Sequence, residues 1–187
     1  MKLEDFRKEF PQLEQKVYGK PLVYLDNAAS SLRPRSVIEK WREMSEIKNA
    51  NIYRANHFTA VQATSEVESA RETVRAFLNA AEPGEIIFTS GDTAALNLLA
   101  SSFGESFIKE GDEVLLSEAE HHSVIVPWQM LCQRKGAVIR VLPVDDRGEL
   151  VLDKLPELLG ERTKIVCVTH VSNVLGIFNP IEEIIRQ

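Results

Sequence analysis

Cysteine is scarce in this 187-residue chain: Cys132 and Cys167 are the only two, and they lie far apart. That excludes a disulfide framework and a CxxC metal or redox site. Long apolar runs are also missing. No stretch approaches the roughly 18 residues of a membrane span, and Met1–Phe6 has no signal-peptide core. Basic tracts are absent as well: 22 basic against 28 acidic residues give a net charge of −6. Nucleic acid is therefore not the expected partner, because phosphate binding relies on clustered Lys and Arg. No repeat, low-complexity stretch or Gly/Ser/Pro-rich linker divides the chain. The reading is a soluble, cytoplasmic domain, with 44% hydrophobic and 27% charged residues and enough length to bury a core without metal or disulfide.

What is present is an alternation of helical and strand patterns. Helices are predicted over Leu3–Phe10 and from Pro34 to about Lys48, with a brief strand over Pro21–Leu25. A long helix spans Thr59–Asn79, with Val67, Ala70, Val74, Phe77 and Leu78 on one face. Strands follow at Glu85–Thr89, Glu113–Ser117, Val138–Leu142 and Lys164–Thr169. Helices lie between them at about Thr93–Phe107, Val126–Lys135 and Leu152–Leu159, and a last one begins near Pro180. Ile165–Val168 is continuously apolar and reads as the most buried strand. The fold class is α/β, a mostly parallel sheet flanked by helices.

Ligands of such sheets bind beyond the carboxyl ends of the strands. At Ser90-Gly91-Asp92-Thr93, a Gly turn leads into a helix N-terminus, suited either to a phosphate, with Thr93 adding a hydroxyl, or to a simple cap by Asp92 or Thr93. His121 and His122 follow the second strand candidate. They suit ring stacking or proton transfer, or one of them caps local backbone; no ligand set for a metal is completed. Asn173, in the loop closed by Gly176, can bond a ligand oxygen or form an Asx-turn. Arg54 and His57 can hold an anion or stand as solvated surface charges. Cys132 and Cys167 read as core residues rather than nucleophiles, and Val144–Gly148 as a plain β-turn.

Taken together, Tyr18–Ser30, Glu120-His121-His122-Ser123 through Val126-Pro127-Trp128, and Thr169–Gly176 resemble the SufS-type (group II) cysteine desulfurases of the class V aminotransferase family. The resemblance runs over essentially the whole chain. It implies part of the large pyridoxal 5′-phosphate (PLP) domain of the fold-type I, aspartate aminotransferase-like architecture, working as a homodimer. It assigns Asp92 and Thr93 to the phosphate cup. His121 becomes the catalytic residue that stacks on the cofactor ring, Asn173 lies beside ring and substrate, and Ala28, Ala29 and Arg54 fall on the substrate side. The implied reaction converts L-cysteine to L-alanine and an enzyme-bound persulfide, whose sulfur passes to an acceptor protein for iron–sulfur cluster assembly.

The family's Schiff-base Lys and nucleophilic Cys fall beyond Gln187. The expectation is therefore that residues 1–187 are the N-terminal segment and a partial PLP-binding domain, inactive alone and prone to self-association through an open sheet edge. Two other readings accompany it: a non-catalytic module that binds a protein partner, and a selenocysteine lyase of the same family. The chain also departs from the family pattern. Tyr53 and Ala55 stand in the usual H-R-G-x-H, and Asp92 and Ala94 in the usual T-T-E-A.

Overall fold

In the computed structural model, which describes residues 2–187, the chain divides after Phe88 into two units. The first begins with α1 (Leu3–Arg7) and a 3₁₀ turn over Pro11–Glu14. The antiparallel hairpin β1 (Lys16–Val17) and β2 (Lys20–Pro21) follows. Its turn residues Tyr18 and Gly19 have φ of 50° and 76°, the doubly positive pairing that matches strand twist in a two-residue hairpin. The strand expected over Pro21–Leu25 is thus confined to its first residue. Val23 and Leu25 are exposed, and Pro21 has no N–H to extend a ladder.

Two longer helices complete this unit: α2 (Arg35–Glu46), entered at Pro34, and α3 (Phe58–Leu78), ended by Asn79 in the left-handed region. The apolar stripe on α3 does not become a core face. Phe77 and Leu78 are 86% and 61% exposed, and only Ala60 and Ala63 of the helix are buried. Periodicity marks a face able to be covered; it does not supply the cover. Charges link the two helices instead. Lys48 Nζ lies 2.6 Å from both Glu43 and Glu66, and Lys40 Nζ lies 3.3 Å and 3.0 Å from the same two residues.

No strand forms at Glu85–Thr89. Glu85 belongs to a 3₁₀ turn (Pro83–Glu85) closed by a reciprocal capping box with Glu82. The Ile86 carbonyl accepts a hydrogen bond from the Arg71 guanidinium, which also sits 5.2 Å above the Phe88 ring. A side chain has taken the place of a neighbouring strand.

The second unit opens with α4 (Asp92–Leu99), a π turn (Ala100–Gly104) and the short α5 (Glu105–Phe107). These run through the segment where one helix is predicted. Three parallel strands follow: β3 (Glu113–Ser117), β4 (Val138–Leu142) and β5 (Thr163–Cys167), in the spatial order β4-β3-β5. Between β3 and β4 runs α6 (His122–Lys135), starting four residues before its expected Val126 because the His121 side chain caps it. Between β4 and β5 lie a 3₁₀ turn (Leu152–Lys154) and α7 (Leu155–Leu158); α8 (Ile181–Arg186) comes last.

Alternation along β3 builds two cores. Val114 and Leu116 join Ala100, Ile108, Trp128, Leu131 and Cys132 on one face. Leu115 joins Leu142, Leu155 and Ile184 on the other. Each fully buried Leu or Val there contributes about 1.5–3 kcal/mol. All five residues of β3 are buried, so β3, not β5, is the most buried strand. β5 is an edge strand that alternates, with Val166 41% exposed. The α/β class with a parallel sheet flanked by helices holds.

Candidate functional site

The carboxyl ends of β3 and β5 are bolted together by a residue that sequence reading passed over. Glu120 is buried, and its Oε1 accepts hydrogen bonds from Ser117 Oγ at 2.6 Å and from the Thr169 backbone N–H at 2.7 Å. The available signal was a carboxylate placed three residues after a strand-terminal Ser, directly before two His. The chain goes from central β3 to β4 on one side and then to β5 on the other. The bolt therefore sits at the switch point where such sheets take ligands.

His121 stands next to this bolt. Its Nδ1 accepts the Ser123 backbone N–H at 3.1 Å and caps α6. The ring is exposed and meets His122 edge-on, with centroids 6.2 Å apart. Capping and ligand contact were alternatives in the sequence; here the cap occupies one nitrogen and leaves Nε2 and the ring face open.

Ser123 then reaches the start of α4. Its buried hydroxyl donates to Asp92 Oδ2 at 3.2 Å. No side chain caps α4, whose N-cap is Gly91, so Asp92 and Thr93 do not play the capping role that their types suggest. Gly91 has φ of 157°, and a Cβ built on it would meet nothing within 4 Å. The helix N-terminus is thus open to close approach. Its first N–H groups and the Thr93 hydroxyl form an anion-accepting donor set.

The loop after β5 shows why Asn173 is available. The Asx-turn alternative does not form there. Instead the buried Ser172 makes the turn, its Oγ accepting from Val174 N at 3.3 Å and Leu175 N at 3.1 Å. Asn179 closes the base, donating through Nδ2 to the Thr169 carbonyl at 2.7 Å. Asn173 is exposed, and its amide makes no hydrogen bond among the described residues. Thus Asp92 and His121 are joined through Ser123, while the Asn173 loop is tied to the His121 loop through Glu120.

Ala28, Ala29 and Arg54 belong to the first unit and sit on its exposed turns. The Ala28–Ala29 turn is held by Ser30 N–H donating to Asp26 O at 3.0 Å, and by the Tyr24 hydroxyl donating to Ser30 O at 2.6 Å. Beside Arg54, Tyr53 adopts a φ of 57° and donates its hydroxyl to Glu68. His57 Nδ1 is engaged as the cap of α3, accepting from Ala60 N at 3.3 Å.

Neither cysteine is poised as a nucleophile. Burial pushes the Cys132 thiol up. Burial, helped by the Glu120 carboxylate, raises Cys167 to about 11. The Trp128 indole opposes this, as the least of the three influences; its buried N–H meets no hydrogen-bond partner among the described residues. Among the described residues, no group of three or more His, Cys, Asp or Glu could hold a metal ion. No helix of the described residues is long and apolar enough to cross a membrane.

Three donor types fit PLP: an uncapped helix N-terminus for phosphate, an open His ring face for stacking, and a free Asn amide. The Asp92 carboxylate runs against the phosphate but is engaged by Ser123.

Residues 23–187 match the aminotransferase class-V family. The chain is 48% identical to a cysteine desulfurase of Pectobacterium carotovorum subsp. carotovorum (strain PC1), over 99% of this chain and 46% of that one. Among solved structures, the apo cysteine desulfurase from Thermococcus onnurineus NA1 superposes with a TM-score of 0.88 at 35% identity, covering 98% of this chain and 44% of its own. The Escherichia coli cysteine desulfurase CsdA, in its S-sulfonic acid form, gives 0.82 at 33%, covering 100% and 45%. The chain therefore spans a little under half the length of these relatives.

Proposed function

This chain belongs to the aminotransferase class-V family, and we propose that it forms the N-terminal half of a PLP-dependent cysteine desulfurase of the SufS type. Residues 1–187 then make up the N-terminal segment and part of the PLP-binding domain. The observation that carries this reading is the linked set at the strand tips: Thr93 at an uncapped helix start, His121 joined to Asp92 through Ser123, and Asn173 on the loop that Glu120 anchors.

In this reading the α4 N-terminus and the Thr93 hydroxyl bind phosphate, and the helix dipole adds to the attraction. The exposed His121 ring stacks on the cofactor, and its free Nε2 holds or passes a proton near substrate. The Asn173 amide orients ring and substrate by hydrogen bonding, while Ala28, Ala29 and Arg54 line the substrate side. PLP itself supplies the electron sink that lets the carbon–sulfur bond of L-cysteine break. The sulfur leaves on a cysteine thiolate and passes to an acceptor protein serving iron–sulfur clusters, in the cytoplasm.

That thiolate is not on this chain, because Cys132 and Cys167 have raised thiols. None of the ten Lys falls in the family's Schiff-base motif. The chain alone is accordingly inactive, which also supports a second reading, a non-catalytic module bound to a partner. Association with another copy belongs to the proposal too. Val166, Val168, Ile181, Ile184 and Ile185 line an open cleft of about 610 Å³ beside β5.

Titrating PLP into the purified chain and following cofactor absorbance tests the site. Saturable binding in the micromolar range, weakened at least tenfold by Thr93→Val, is the expected result. No saturable binding would overturn the cofactor assignment and favour the partner-bound module. Sedimentation as a stable monomer would count against self-association.

A further inference from the structure

Four polar groups meet where α6 begins, and the one hydroxyl hydrogen of Ser123 faces two acceptors. His121 Nδ1 faces the Ser123 backbone N–H at 3.1 Å and the Ser123 Oγ at 2.9 Å. The same Oγ lies 3.2 Å from Asp92 Oδ2. A hydroxyl has one hydrogen to give, an ionised carboxylate has none, and a neutral imidazole has one N–H on either of two nitrogens. Ser123 is only 8% exposed, so water has little room to replace a missing partner.

With the hydroxyl on Asp92 and Nδ1 still accepting the backbone N–H, the Oγ and Nδ1 lone pairs face each other at 2.9 Å; two other arrangements place a hydrogen in that contact. In one, the Ser123 hydroxyl donates to Nδ1 beside the backbone N–H, the ring proton sits on Nε2, and Asp92 faces an oxygen lone pair. In the other, the hydroxyl donates to Asp92 and turns its lone pair to the ring. Nδ1 then holds the ring proton and donates it to Oγ, the backbone cap is given up, and Nε2 becomes a bare acceptor. Hydrogen bonds to a charged acceptor are roughly twice as strong as neutral ones, so the carboxylate holds the hydroxyl, and the 2.9 Å Oγ–Nδ1 contact then favours a proton on Nδ1 over two opposed lone pairs.

We propose that Asp92 is a positioning residue that decides which nitrogen of His121 carries the ring proton, by competing with the ring for the single hydroxyl hydrogen of Ser123. The outward Nε2 then acts as an acceptor when Asp92 holds the hydroxyl and as a donor when it does not. This deepens the desulfurase reading by fixing the proton state of the ring in that site. It gives a role in this chain to a carboxylate that otherwise only opposes a phosphate.

The test is two-bond ¹H–¹⁵N correlation NMR of the histidine rings in the 187-residue chain without cofactor, at a pH where the rings are neutral; His121→Gln assigns the signal. Asp92→Ala should move the ratio of Nδ1–H to Nε2–H forms several-fold toward Nε2–H. Asp92→Asn, which keeps a neutral acceptor, should fall between it and the unaltered chain. With Ser123→Ala already present, Asp92→Ala should change nothing further. An unaltered ratio in Asp92→Ala with the fold intact by circular dichroism would overturn the proposal, as would a shift that survives Ser123→Ala. If Asp92→Ala does not fold, an unaltered ratio in Asp92→Asn overturns it equally. No cofactor takes part, so failure of PLP binding and failure of this inference are read separately.

Discussion

The two units of this chain hold their helices in different ways. In the second, β3 is buried along its whole length and feeds side chains into a core on each face. In the first, α2 and α3 are linked through Lys40, Lys48, Glu43 and Glu66, while large apolar groups such as Trp41 and Phe77 are 71% and 86% exposed. Apolar burial carries no titrating group, whereas exposed ion pairs are weak and are screened by salt. The second unit should therefore be the stiffer scaffold, and it is the one that carries Thr93, His121 and Asn173.

Four measurements would break or sharpen that contrast. The largest effect should come from Trp128→Ala, which empties the centre of one core; a loss of about 3–5 kcal/mol in urea unfolding is expected. A loss under 1 kcal/mol would mean that the sheet does not depend on that core. Next is the chemistry of Cys167. With its thiol near 11 against an ordinary 9.0, the thiolate fraction at mildly alkaline pH falls about 100-fold. Alkylation of the folded chain should be slow by that factor, and urea should abolish the protection.

Gly104→Ala should be milder, at about 1–3 kcal/mol. The added methyl would run into the Leu131 side chain and come within 3.2 Å of the Trp128 ring. An unaltered midpoint would show that α6 can move away.

The smallest effect belongs to the first unit. Hydrogen bonds from Lys48, then Lys40, hold the Glu43 and Glu66 carboxyls below their ordinary 4.5. A carboxyl lowered on folding contributes stability that is present above 4.5 and is lost as pH falls through its lower folded value. The same pairs raise Lys40 and Lys48, so their contribution is present below 10.5 and fades above it. Limited proteolysis between α2 and α3 should accelerate on acidification below about 4.5. Lys48→Met should raise cleavage near neutral pH and flatten that acid response; identical profiles would show that the ion pairs do not hold the helices.

The sheet was legible wherever apolar residues, turns and caps agreed. Glu113–Ser117 and Val138–Leu142 have the bounds that pattern suggests. The pattern could not place β5 at an edge, because Ile165–Val168 has the same composition whether one neighbour or two are present. It also could not distinguish Glu85–Thr89 from a strand, since the outcome turned on Arg71 reaching the Ile86 carbonyl from α3. At the site, residue types pointed to Thr93, His121 and Asn173. Glu120 and Ser123 went unseen because their roles depend on partners 49 and 31 residues away in sequence.

By itself the sequence determined the α/β class, the helix starts near Pro34 and just after Gly91, and the residue types facing the strand tips. These follow from local backbone preference and from apolar spacing along one segment. Only the tertiary structure decided which strand is central, which apolar stripe stays uncovered, and that the Ser123 hydroxyl stands between Asp92 and His121. Each of those depends on where a distant segment comes to rest, and a single hydrogen shared by two acceptors can be recognised only when all three atoms have positions.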